Sequence, residues 1–250
     1  MRHYFLRASL LWLIAAANGF GVVHAEETDD ILRALHKVIV QKPVAVKKTI
    51  LPNLFGVYFD QDQSPSQFVS RDVSMIGNSV LGYTWIKGQK MGKDLDAKER
   101  QSAFLDMLSA IPKERLITYR YGAGARKVLL FTAYDCPSCR ALERELDKRA
   151  NELNATVYVI PLGLTYFNRD PVAAQIIKNI WCADDRMKTW RAALLERKTP
   201  ANRTCSENPD DFAYLGRAFP VPFSTSMPTA VTLDGRVFQA VLRDFKEIFG

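Results

Sequence analysis

Cys136, Pro137, Ser138 and Cys139 are the residues of this chain whose types and spacing bear most directly on chemistry. Two thiols separated by two residues can exchange with a disulfide, because a second sulfur lies within reach of any mixed disulfide that the first one forms. The motif follows an apolar run at residues 127–132 and opens a helix-like stretch at 140–153. Cys136 is therefore expected at a helix N-terminus, where unpaired N–H groups and the helix dipole favour a thiolate. Pro137 suits the first helical position, since its φ is fixed there and it has no N–H to leave unpaired. A structural disulfide or half of a zinc site would use the same residues, but the strand-to-helix context favours redox chemistry.

The elements that must position these sulfurs sit in a chain with an export-type N-terminus. Arg2 and Arg7 flank a basic start, residues 8–17 are apolar, and Val23 and Ala25 put small residues at −3 and −1 before Glu26. This reads as a cleaved signal peptide of residues 1–25, with an apolar core too short to span a bilayer comfortably. Its loss would remove two arginines and no acids, taking the net charge from +7 to +5. The remaining basic residues are interspersed with acids, a solvated surface rather than a nucleic-acid footprint. Only His36 would survive in the exported chain, distant in sequence from every cysteine, which argues against Cys–His or Ser–His catalysis.

Four cysteines are present: Cys136, Cys139, Cys182 and Cys205. In an exporting context they are oxidisable. If Cys136 pairs with Cys139, Cys182 is left for Cys205; a four-cysteine zinc site is the competing arrangement, with its second pair unusually far apart.

Periodicity predicts a helix over 29–40, then short β-like runs at 49–51, 54–59, 67–70, 73–76 and 80–86, with turns at 60–65 and 76–78. Residues 95–111 read as a helix with Leu95, Phe104, Leu105, Leu108 and Ile111 on one side, closed by Pro112 and partly bridging solvent between two domains. Strands are then expected at 116–121, 127–132 and 156–161 around a helix at 137–153. A helical segment follows at 171–196 and another near 210–217. The chain ends with strands at 229–233 and 236–241 joined at Asp234 and Gly235, and a terminal helix from Arg243. The fold class is thus α+β or α/β, a C-terminal thioredoxin fold with a helical insertion, and the parallel crossover falls around the cysteine helix. The expected division is a small, mostly β N-terminal domain at 26–94, a linker helix at 95–112 and a catalytic domain at 113–250.

On this pattern the chain resembles the DsbC/DsbG family of periplasmic disulfide isomerases. The likeness rests on Phe131 and Thr132 leading to Cys136, on residues 180–183 and 187–190 around Trp181, Cys182 and Trp190, on Cys205, and on the Pro228 region before the last hairpin. It covers 116–249 well and is only architectural for 26–95. The resemblance implies that Cys136 attacks, Cys139 resolves and Cys182–Cys205 is a structural disulfide. It implies that Pro228 is a cis-proline whose preceding residue, Met227, pairs with substrate backbone, and that residues 26–94 form a homodimerisation domain. Pro137 and Ser138 would tune the redox potential. Met227 stands where the family usually carries threonine, and residues 219–226 look a few residues longer than the family segment.

The expected activity is that of a periplasmic thiol–disulfide isomerase or reductase acting on exported proteins with non-native disulfides, with a membrane thiol reductase as electron donor and no cofactor, metal or nucleic acid. A holdase chaperone with secondary redox activity, or an oxidoreductase dedicated to assembling a secretion or conjugation apparatus, are the alternatives.

Overall fold

The computed structural model describes residues 19–60, 65–74, 76–77, 83–84, 93–94, 97–166, 170–215, 227–239 and 241–250. The apolar stretch at 8–17, Leu95 and the segment 219–226 lie outside them. Helix α1 (Gly19–Val38) starts earlier than its periodicity predicts and runs through the junction between Ala25 and Glu26. No helix among the described residues is long and apolar enough to cross a membrane.

An antiparallel meander follows, β1 (Ala45–Lys48), β2 (Leu54–Tyr58), β3 (Gln67–Ser70) and β4 (Ile76–Gly77), paired in chain order. The first strand corrects the expectation at 49–51. Thr49 instead closes the turn, its hydroxyl donating to the Leu54 carbonyl at 2.8 Å and accepting the Leu51 N–H at 3.1 Å. Val73 and Ser74 are likewise not in a strand, whereas Ile76 and Gly77, expected in a turn, form β4. Asp72 accepts hydrogen bonds from the Ser70 hydroxyl and the Ser74 N–H, and Val73 sits at φ 57° within that turn. Of residues 80–86 only β5 (Tyr83–Thr84) is described, pairing with β6 (Lys93–Asp94). Ile31 and Leu35 of α1 are buried with Val46, Phe55, Val57 and Val69 of the meander.

Helix α2 (Ala97–Ala110) connects this module to the rest. Phe104, Met107, Leu108 and Ile111 are buried in the main cluster at i, i+3, i+4 and i+7 spacing, so the C-terminal half of the helix is docked, while Lys98, Gln101 and Ser102 of its first half are exposed. Leu105, expected on the same side, is 36% exposed.

The second sheet contains β7 (Ile117–Arg120), β8 (Arg126–Ala133), β9 (Ala155–Leu162), β10 (Thr229–Thr232) and β11 (Val237–Phe238), in the order β11-β10-β8-β9-β7. Central β8 is parallel to β9 and antiparallel to β10. Its unbroken burial over residues 128–133 is what a strand covered on both faces requires. Helix α3 (Pro137–Lys148) makes the crossover and ends before the expected 153, where a short 3-10 turn at Ala150–Glu152 takes over. The predicted helix at 171–196 is two helices, α4 (Pro171–Trp181) and α5 (Arg186–Glu196). The break has a local cause: Asp185 caps α5 by accepting the Lys188 N–H at 2.9 Å. Helix α6 (Asp210–Ala213) falls within the expected 210–217, whose last two positions lie outside the described residues; among the described residues of 236–241 only β11 pairs, and α7 (Phe245–Phe249) follows. The β10–β11 turn is closed by the Gly235 N–H on the Thr232 carbonyl, with Gly235 at φ 89°.

Candidate active site

Strand β8 ends at Ala133, and just beyond its C-terminal end Cys136 is the N-cap of α3 with extended backbone, φ −89° and ψ 120°. Its sulfur accepts the Cys139 N–H at 3.2 Å, the bond by which an N-cap side chain satisfies an otherwise unpaired donor of the first turn. Pro137 occupies the first helical position. The Ser138 hydroxyl stands 3.2 Å from the Cys136 sulfur. Both cysteines are free thiols and buried, Cys136 at 3% exposure.

These contacts separate the two thiols chemically. The hydrogen bond from the Cys139 thiol, then those from Ser138 and the two backbone N–H groups, lower Cys136 to about 6 against the opposing effect of burial. Burial and the bond to Cys136 push Cys139 far above an ordinary thiol, only partly countered by the Ala133 N–H, 3.4 Å from its sulfur. Cys136 is thus the thiolate at neutral pH and Cys139 the proton holder. Asp135, whose charge could have opposed that thiolate, instead accepts the Leu164 N–H at 2.9 Å.

Across the sheet, β10 begins just after a cis Met227–Pro228 bond. The Met227 carbonyl is 3.6 Å from the Cys136 sulfur and accepts the Ser138 hydroxyl at 2.9 Å. The structure therefore gathers Cys136, Pro137, Ser138, Cys139, Met227 and Pro228 into one place. The Met227 side chain is partly buried against the main cluster, filling core space rather than standing free. Cys182 and Cys205 lie apart, joined as a disulfide that links the end of α4 to the loop beyond residue 200. His36 is in the first module, its Nε2 donating to the Pro43 carbonyl.

Sequence reasoning missed a buried polar group behind the thiols. Glu143, one turn beyond Cys139 on α3, is 1% exposed; Arg191 Nη1 lies 3.2 Å from its Oε1. Neither that oxygen nor the neighbouring Tyr119 hydroxyl finds a hydrogen-bond partner of proper geometry among the described residues. Burial raises the carboxyl to about 7, with Tyr119 and Arg191 pulling the other way. The signal was present: residues 139, 142, 143 and 146 form one helical stripe whose other members are Cys and Leu.

The model of the thioredoxin-like domain matches residues 114–242. A probable thiol:disulfide interchange protein DsbC of Bordetella pertussis is 26% identical over 166 residues, which cover 64% of this chain and 56% of that protein. The thiol:disulfide interchange protein DsbC of Salmonella typhimurium is 27% identical over 219 residues, covering 83% and 80% respectively. The chain thus spans little more than half the length of the Bordetella relative. A disulfide interchange protein from Neisseria gonorrhoeae superposes with a TM-score of 0.45 at 27% identity, covering 55% of this chain and 96% of that one. Helicobacter pylori DsbG superposes with a TM-score of 0.39 at 15% identity, covering 82% and 99%.

Proposed function

The chain belongs to the thioredoxin-like family, whose domain spans residues 114–242, and on that premise we propose that it is a thiol–disulfide isomerase and reductase of exported proteins. The observation that carries this reading is the placing of the two sulfurs: Cys136 caps α3 and takes the Cys139 N–H beside the Ser138 hydroxyl, which favours its thiolate, while burial of Cys139 three residues on favours its thiol.

The Cys136 thiolate attacks one sulfur of a mispaired client disulfide. A mixed disulfide forms, and the other client sulfur leaves as a thiolate that takes a proton from solvent. If a different client thiol then attacks the mixed disulfide, Cys136 returns as thiolate and the client is rearranged with no net redox change. If Cys139 attacks instead, its proton is released, Cys136–Cys139 is oxidised to the disulfide and the client is reduced to two thiols. A reductase must then return two electrons, a task suited to a membrane thiol reductase. The Met227 carbonyl, beside the attacking sulfur, is available to accept an N–H of the client strand once the Ser138 hydroxyl yields it.

In this reading residues 1–25 direct export to the periplasm and are removed, 26–94 form a dimerisation module, 95–112 link it, and 113–250 catalyse. Pro137 and Ser138 set the poise, and Cys182–Cys205 is structural. Refolding of a scrambled multi-disulfide protein tests the reading. The wild-type protein restores native activity of the client, while Cys136→Ser lowers the rate at least about 100-fold, since the nucleophile is gone. Equal refolding by the two proteins would overturn it.

A further inference from the structure

Beside the thiols lies a groove that the exchange steps do not use. It has a volume of about 330 Å³ and runs between the start of α3, helices α4 and α5, and the loop after α5. Tyr134, two residues before Cys136, and Pro137, the residue after it, line it together with Ile176 of α4. The groove therefore adjoins the cysteine turn through Pro137, and Tyr134, Ile176 and Ala193 give it apolar surface.

Its charge is one-sided. Arg140, Arg197 and Lys198 all line it, and no salt bridge among the described residues involves any of the three. Arg140 is fixed by its Nε, which donates to the Leu194 carbonyl at 2.6 Å. The one carboxylate of the lining, Asp135, is turned to the Leu164 N–H. Arg197 ends α5 in the left-handed region at φ 57°, a position where glycine is the usual residue and any side chain carries a conformational cost.

We propose that this groove docks an acidic, apolar segment of the client polypeptide beside the disulfide under attack, its carboxylates facing Arg140, Arg197 and Lys198 and its apolar side chain lying on Tyr134 and Ile176. This rests on the exchange reading for its purpose, but docking itself needs no reacting sulfur. The segment's charge offsets three cations that have no carboxylate partner among the described residues, which an apolar or basic segment could not do.

Fluorescence anisotropy with rhodamine-labelled, cysteine-free hexapeptides tests it. The peptides alternate leucine or phenylalanine with glutamate, glutamine or lysine. The full-length protein binds the glutamate peptide about tenfold more tightly than the glutamine peptide, a preference that weakens as salt is added. The double variant R197G/K198S loses the preference; glycine suits the backbone at 197, so folding is retained. K148Q/K188Q removes two exposed cations from the far ends of α3 and α5 and keeps it. Equal binding of all three peptides, an unaltered preference in R197G/K198S, or an equal loss in K148Q/K188Q would overturn the proposal. Reduction of bis(2-hydroxyethyl) disulfide by the wild-type protein separates the two readings. Peptide preference without that reaction removes the exchange reading and leaves the groove, whereas reaction without preference removes the groove alone.

Discussion

At Cys136 hydrogen bonding outweighs burial, and the measurable consequence is a pH profile. Alkylation of the reduced protein by iodoacetamide should rise with pH through a midpoint of about 6 and level off above it, because only the thiolate reacts. Replacing Ser138 by alanine removes one donor to the sulfur and should move that midpoint upward by about one unit. A midpoint near that of an ordinary thiol in the wild-type protein would remove the electrostatic basis of the mechanism. Glu143 predicts a trend in stability. Its folded-state carboxyl lies above its unfolded value, so the native state keeps a proton that the unfolded chain has already released. Stability therefore falls as pH rises from about 4.5 to about 7, by at most roughly 3 kcal/mol, and Glu143→Gln should flatten that slope in urea unfolding. Both cysteines of the motif could be placed from their neighbours in sequence. Glu143 was overlooked although it stands in an apolar helical stripe, because a single carboxylate in such a stripe is easily assigned to the solvated side.

Among elements, the disulfide between Cys182 and Cys205 joins the C-terminus of α4 to a loop with little regular structure. The two cysteines are 23 positions apart in sequence, so cross-linking them constrains the unfolded chain by about 3 kcal/mol. Cys182→Ala with Cys205→Ala should lower the unfolding free energy in guanidinium by about that amount and leave the Cys136 alkylation midpoint unchanged, since the bond does not touch the active thiols. A shifted midpoint would mean that the helical insertion supports the site more directly than its contacts indicate. The strands of the second sheet and the β10–β11 hairpin were legible because each combines an apolar run with a turn signal. The division of 171–196 into α4 and α5 was not, since both halves keep helical spacing and only the capping aspartate marks the boundary. The N-terminal strands slipped for a similar reason: Thr49 and Asp72 close turns through side-chain bonds that apolar patterning does not register.

For the molecule as a whole, the groove was beyond sequence reasoning because its walls come from residues some sixty positions apart, brought together only by folding. Light scattering on the purified protein tests the proposed dimer, with a mass near twice that of one chain expected and a monomer counting against the role given to residues 26–94. One packing detail limits how such an assembly could work. Leu51 and Phe68 belong by sequence to the first module, yet they are buried in the same cluster as Leu108, Ile117 and Leu130. Swinging the modules apart would wet both side chains, at roughly 2 kcal/mol for each. On the proposed exchange reading, any widening between the two modules to admit a client would carry that cost, so the seam resists such a motion.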